Sequence, residues 1–222
     1  MDLTALWLSL RLALATVVVL APLGIVAGRW LATSQFRGKA FVEALVALPL
    51  VLPPTVLGYY LLVAFGQASP LGQAWQAVFG RPLVFTFEGL LVASILFNLP
   101  FAIQPMQRAF EAIPQDVREA AQCCGMSPWQ ALRRVELPLA WPGIVTAMVL
   151  SFAHTLGEFG IVLMVGGNIP GETRTIAISI YDRVQALDDA SAAKMSALLL
   201  AISMLAIGTT FYLSRRTARR LG

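Results

Sequence analysis

The stretch that decides how this chain is built is EAIPQDVREAAQCCGMSPWQALRRVELPLAWPG, residues 111–143. Pro114 suits the first turn of a helix. Charged and small apolar side chains then alternate up to Cys124, and Gly125 is a good helix C-terminal residue. Ser127, Pro128 and Gln130 form a capping-box start for a second short helix, which Leu137 and Pro138 are expected to close. The reading is a compact helix–turn–helix in which Ala120 and Ala121 offer a low-relief surface that another protein can approach closely. Long apolar runs lie on both sides of it, so this polar pair of helices reads as a loop between two membrane spans.

The composition agrees. Of the 222 residues, 58% are hydrophobic and 13% charged, and the mean hydropathy is +0.74. A soluble domain is about 45–50% apolar and about 25% charged. The excess apolar surface must face lipid, which excludes a disordered chain, a disulfide scaffold and a soluble nucleic-acid binder. A span needs about 20 apolar residues, and five stretches qualify: residues 6–28, 41–65, 89–108 with an apolar approach from 83, 143–165 and 193–213. The first lacks a basic leader and is too long for a signal-peptide core, so an uncleaved span is expected. The fold class is therefore all-α, one polytopic transmembrane domain over residues 1–222, with its core at about 6–213 and a cytoplasmic loop at 111–142.

Basic residues set the orientation. Arg29, Arg37 and Lys39 lie between spans one and two. Arg108, Arg118, Arg133 and Arg134 lie between three and four, and Arg215, Arg216, Arg219 and Arg220 follow span five. The opposite flanks hold Arg81, Arg174, Arg183 and Lys194, balanced locally by Glu172, Asp182, Asp188 and Asp189. The N-terminus is expected outside and the C-terminus inside. Arg11 sits near the outer end of span one, where its stem can snorkel. Cys123 and Cys124 are expected to be reduced packing residues in the cytoplasm.

Polar and helix-breaking residues occur at depth. Span two carries Pro49, Pro53, Pro54 and Gly58, and span three carries Asn98, Pro100 and Pro105. Such spans are either kinked for packing or bent around a pathway. Asn98 and His154 fall near mid-membrane, and a continuous span four would set Glu158 one turn beyond His154 on the same face. An ionisable residue at that depth is a functional candidate. A metal or proton relay needs more ligands than one histidine supplies. A substrate-binding carboxylate would suit cations. The favoured reading is structural, with Glu158 neutralised by His154, by protonation or by a partner in the bundle. Pro53, Pro54, Asn98, His154 and Glu158 are the candidate pathway or gate residues.

Three stretches carry a family resemblance. EAAQCCG, followed by Leu137 and Pro138, resembles the EAA signature of ABC importer permeases; Glu119, Ala120, Ala121 and Gly125 match it directly. Glu136 stands where an isoleucine or similar residue is more usual, a departure read as surface packing at one position. LPLVLPPTVLGYYLL, residues 48–62, is similar to span two of molybdate permeases. TLGEFGIVLMVGGNIPGETRTIAISIYD, residues 155–182, is similar to their span four and the following outer loop, although many relatives have arginine in place of His154.

The resemblance implies a type I ABC importer-like permease subunit of a bacterial inner membrane, carrying molybdate, with tungstate or sulfate as the alternatives. It implies a homodimer around the pathway, two cytoplasmic ATPase subunits docked on the EAA loop, and an extracytoplasmic molybdate-binding protein. The chain would bind no cofactor and no metal. It has no GxxxxGK[ST] phosphate loop, so ATP and Mg²⁺ would belong to the partner ATPase. The outer loop, with Gly167, Asn168 and Arg174, would greet an oxyanion or the binding protein, or is simply a flexible turn. An intramembrane enzyme built on His154, Glu158 and Asn98 is the competing class, but it lacks a matched nucleophile. A pure scaffold subunit is the third.

Overall fold

A computed structural model describes residues 1–221, with side chains for residues 1–209. The side chains of Arg215, Arg216, Arg219 and Arg220 thus lie outside the described residues. Every regular element among those described is helical.

Helix α1 (Leu3–Thr33) is capped by Asp2, whose Oδ1 accepts from the Ala5 N–H at 2.9 Å. Its buried residues Leu8, Leu12, Thr16, Leu20, Gly24, Gly28 and Leu31 recur every three or four positions, forming one stripe. That stripe packs on α5 (Phe87–Glu111). Lipid offers no hydrophobic reward for helix pairing, so close approach of small residues must supply it. Gly28 shows this: a Cβ there would stand 2.9 Å from the backbone nitrogen of Gln107. The opposite face of α1 leaves Trp7, Leu14, Val18 and Val26 exposed, as a lipid-facing surface requires.

Span two is not one kinked helix. It is α2 (Lys39–Val51) and α3 (Pro54–Phe65), set at 108° to each other. Leu52 and Pro53 each precede a proline, where the α conformation is disfavoured; both are extended, with ψ of 133° and 137°. The pair nevertheless crosses the membrane. The inner end of α1 meets Met106 and Gln107 of α5, and its outer end shares a cluster with Leu90, so α1 and α5 run in the same direction. The chain between them must return to the outside. Glu43 of α2 bonds Gln107 at the inner end of α5, while Leu61 and Phe65 of α3 join the outer cluster with Leu83 and Val84. A short helix, α4 (Pro70–Phe79), follows outside.

The cytoplasmic loop contains α6 (Gln115–Cys123), α7 (Pro128–Ala131) and a π-helical turn, Leu132–Glu136, that runs directly into α8 (Leu137–Gly157). Leu137 and Pro138 therefore do not close the second short helix. The π-turn takes the Leu137 N–H onto the Leu132 carbonyl, which makes room for a proline ring that an unbroken α-helix resists. Pro128–Gly157 becomes a single 30-residue span candidate.

The outer end of span four is also corrected. The helix stops at Gly157, and a separate α9 (Gly160–Gly166) follows. Outside lies α10 (Ile176–Gln185), tied to α1 by Ile176 N–H donating to Ser9 Oγ at 2.8 Å. The last span is α11 (Asp189–Leu221). Four long apolar helices plus the broken α2–α3 pair make up the five expected spans.

Candidate functional site

At the cytoplasmic end, α6 finishes as the sequence suggests. Gly125 has φ of +75°. Its N–H reaches the Gln122 carbonyl at 2.9 Å and the Met126 N–H reaches Ala121 at 3.2 Å, the paired bonds of a left-handed helix C-cap. The capping box of α7 is formed in both directions: Ser127 N–H donates to Gln130 Oε1 at 2.9 Å, and Gln130 N–H to Ser127 Oγ at 3.3 Å. Glu119 and Ala120 are exposed, but Ala121 is 5% exposed and packed inside the chain. The exposed low-relief face of α6 is therefore Glu119 with Ala120, and Ala121 holds α6 against its neighbours. Cys123 and Cys124 are free and exposed rather than packed.

Glu136 is not a surface residue. It is 4% exposed and lies between two arginines. Arg29 grips it with two hydrogen bonds, Nε to Oε2 and Nη2 to Oε1 (3.1 Å), and Arg118 Nε stands 3.9 Å from Oε1. The arginines come from α1 and α6. Beside this knot lies a cavity of about 420 Å³ that opens between α6 and the end of α1. Comparison with a motif position hides the role of Glu136, because its partner Arg29 lies 107 residues away on another helix.

In mid-membrane, Asn98 is 1% exposed and joins α5 to α8. Its Nδ2 donates to the Ser94 carbonyl (2.8 Å) and to Thr155 Oγ1 (3.1 Å), and its Oδ1 lies 3.1 Å from His154 Nδ1. The Ser94 carbonyl only accepts, so Oδ1 must face the imidazole and Nδ1 must carry the proton. The ring stacks on Phe101 at 4.1 Å and leans on Phe97 at 4.8 Å. Asn98 and His154 are thus brought together, a pairing the sequence reading does not single out.

Glu158 departs from expectation. The break after Gly157 takes it off the His154 face, and its Oε1 accepts the Ile161 N–H at 2.9 Å. It caps α9 from an 8% exposed position instead of pairing with His154. The second break meets the first: a Cβ at Gly160 would stand 2.9 Å from Pro54 Cβ, and one at Gly58 would stand 2.9 Å from Met164 Cβ. Pro53 and Pro54 therefore start one short arm at the point where the Glu158-capped arm crosses it. Among the described residues no three His, Cys, Asp or Glu converge as metal ligands do.

The outer loop uses its charge internally. Arg174 Nε donates to Asn168 Oδ1 at 2.6 Å and lies 3.8 Å from Asp182, which also accepts from Asn168 Nδ2 at 2.9 Å. Gly167 turns the chain at φ +65°. Arg174, Asn168 and Asp182 thus form one exposed polar cluster on the outer loop. Arg11 sits 4.2 Å over the Phe87 ring, a cation–π contact at the outer end of α1.

Comparisons with known proteins fit this architecture. Residues 21–219 match the family described as binding-protein-dependent transport system inner membrane component. The molybdenum transport system permease protein ModB of Azotobacter vinelandii is 48% identical over 97% of this chain and 95% of its own. The sulfate transport system permease protein CysT of Escherichia coli (strain K12) is 33% identical over 86% of this chain and 69% of its own. Among solved structures, an inward-facing MetNI methionine ABC transporter matches with a TM-score of 0.74 at 19% identity, covering 98% of this chain and 96% of that one. A bacterial alginate ABC transporter in complex with its alginate pentasaccharide-bound periplasmic protein gives 0.77 at 18% identity, covering 96% and 78%. These relatives are transport subunits, not enzymes. The chain is a polytopic membrane permease subunit of the type I ABC importer fold, and it belongs to the family of binding-protein-dependent transport system inner membrane components.

Proposed function

We propose that this chain is the molybdate permease subunit of an ATP-driven importer in a bacterial inner membrane. Two copies line the pathway, two ATPase subunits dock beneath, and an extracytoplasmic molybdate-binding protein docks outside. The observation that carries this reading is the end-to-end likeness to a molybdenum permease. The sulfate permease is less similar and extends beyond the match, so sulfate is the weaker alternative; tungstate shares molybdate's chemistry.

The exposed Glu119–Ala120 face of α6, with the turn at Gly125, is the docking surface. ATP and Mg²⁺ belong to the ATPase. The two broken spans, meeting at Pro54 and Gly160, support alternating access by rocking of short arms. The test is ATPase stimulation in the reconstituted complex by binding protein loaded with molybdate, tungstate or sulfate. Molybdate should stimulate and sulfate should not; stimulation by sulfate alone would overturn the substrate reading. Ala120→Arg should release the ATPase, because it puts an unpaired charge on a covered surface.

A further inference from the structure

The most tightly built polar cluster outside the pathway is the Arg29–Glu136–Arg118 knot. Three separate elements meet there: α1 through Arg29, the docking helix α6 through Arg118, and the foot of α8 through Glu136. The two arms are unequal. Arg29 holds the carboxylate with two hydrogen bonds. Arg118 stands 3.9 Å away, an ion pair too long for a hydrogen bond, and its buried Nε has no hydrogen-bond partner among the described residues. Arg118 is anchored instead by Nη2 donating to the Phe110 carbonyl at 2.6 Å, near the end of α5.

The backbone is adapted to this arrangement. A π-helical turn occupies Leu132–Glu136 and ends on the acidic residue. One extra residue in a turn rotates the downstream helix by roughly 100°. That rotation sets where Glu136 points relative to α7. The open cavity beside Arg118 leaves space for the loose arm to move.

We propose that Glu136 is a positioning residue that transmits displacement of the docking helix into span one: Arg29 is the fixed arm and Arg118 the adjustable one. A shift of α6 by about 1 Å converts the Arg118 ion pair into a hydrogen bond. The carboxylate, already fixed to Arg29, then draws α1 and α8 along with α6. The inference rests on the reading that α6 docks an ATPase.

The test compares Arg118→Gln, Arg118→Lys and Glu136→Gln in the reconstituted complex. The readouts are molybdate uptake per ATP hydrolysed, ATPase co-purification and thermal stability of the complex. Arg118→Gln leaves the Arg29–Glu136 grip intact, so the ATPase should stay bound and the melting temperature should hold. Uptake per ATP should fall about tenfold, a usual size for a coupling between sites. Arg118→Lys restores the charge and should recover most of the loss. Glu136→Gln removes the charge that both arms grip and leaves a single acceptor oxygen for Arg29, so it should uncouple at least as strongly.

Wild-type uptake per ATP in both Arg118→Gln and Glu136→Gln would overturn the proposal. So would a loss that tracks ATPase release or unfolding in every variant, since the knot would then only hold the fold. An ATPase that fails to co-purify with the wild-type chain would instead overturn the docking reading itself.

Discussion

The cytoplasmic turn between α6 and α7 and the membrane break between α8 and α9 are built from the same parts. Each has a helix ending near a glycine, a polar residue in extended conformation, and a second short helix whose free N–H groups that residue caps. In the first, Gly125 and Ser127 fill these roles in contact with water. In the second, Gly157 and Glu158 fill them; Gly157 is exposed, and Glu158 is inside the bundle at 8% exposure. The difference is the solvent. A cytoplasmic helix end can borrow water for a lost cap, whereas an end within the bilayer has no substitute. The same local device should therefore carry much more free energy in the membrane than outside it.

The largest effect is expected at Asn98, which stitches α5 to α8 one turn below the break. Asn98→Ala removes three interactions at once and strands the proton on His154 Nδ1. Single interhelical hydrogen bonds in membranes are worth about 0.6 kcal/mol on average. Leaving a buried donor unmet raises the loss to about 2–3 kcal/mol. Denaturant titration of the purified complex measures it, and a loss no larger than a single bond would mean that His154 finds another acceptor. Glu158→Ala comes next, at about 1–2 kcal/mol, the upper half of the usual range for a lost N-cap. Glu158→Gln keeps an acceptor for the Ile161 N–H and should retain most transport with a smaller loss of stability. Vanished transport in a stable, assembled Glu158→Gln complex would make the carboxylate's charge, not its capping, the property that matters.

The two regions are unequally legible in the sequence. In the cytoplasmic loop, the glycine at the end of α6 and the Ser127–Gln130 box are short-range signals, and the structure forms both. The apolar run through Ile161–Val165 reads as the continuation of span four, because hydropathy records burial and not helix continuity. Gly157 and Gly160 are the only warning, and glycine in a membrane helix is common. The 108° break at Pro53–Pro54 is half legible. Consecutive prolines announce a bend, but they do not tell whether the helix kinks or stops. Glu136 is illegible for the opposite reason: a motif comparison assigns it to the surface, while its partner Arg29 lies 107 residues away. No local pattern reports such a pairing.

Gly125 offers the third test. Its φ of +75° is the left-handed conformation, which costs an ordinary residue about 1–2 kcal/mol. A Cβ there meets nothing within 4 Å, so the cost is conformational and not steric. Gly125→Ala should destabilise the loop by about 1 kcal/mol, while Gly125→Asn should cost less, because asparagine tolerates this region. Hydrogen exchange at the Met126 amide, which bonds the Ala121 carbonyl, reads the helix end directly. Equal effects of alanine and asparagine would show that the turn has another means of support.

The smallest effect is expected at Ser127, and it bears most directly on the comparison. Ser127→Ala deletes the Oγ that accepts the Gln130 N–H at 3.3 Å, a long bond at an exposed site. Water replaces the hydroxyl, so the loss should sit at the low end for a helix cap, about 0.5 kcal/mol. Gln130→Ala removes the reciprocal bond to the Ser127 N–H. Because the two halves of the box close around one turn, the double variant should cost less than the sum of the singles, and a double-mutant cycle isolates that coupling. Running Ser127→Ala beside Glu158→Ala in the same denaturant titration sets the water-exposed cap against the buried one. If the exposed cap proves as costly as the buried one, lipid and packing add nothing to capping here, and the α8–α9 break is held by the crossing of α9 with α3 instead.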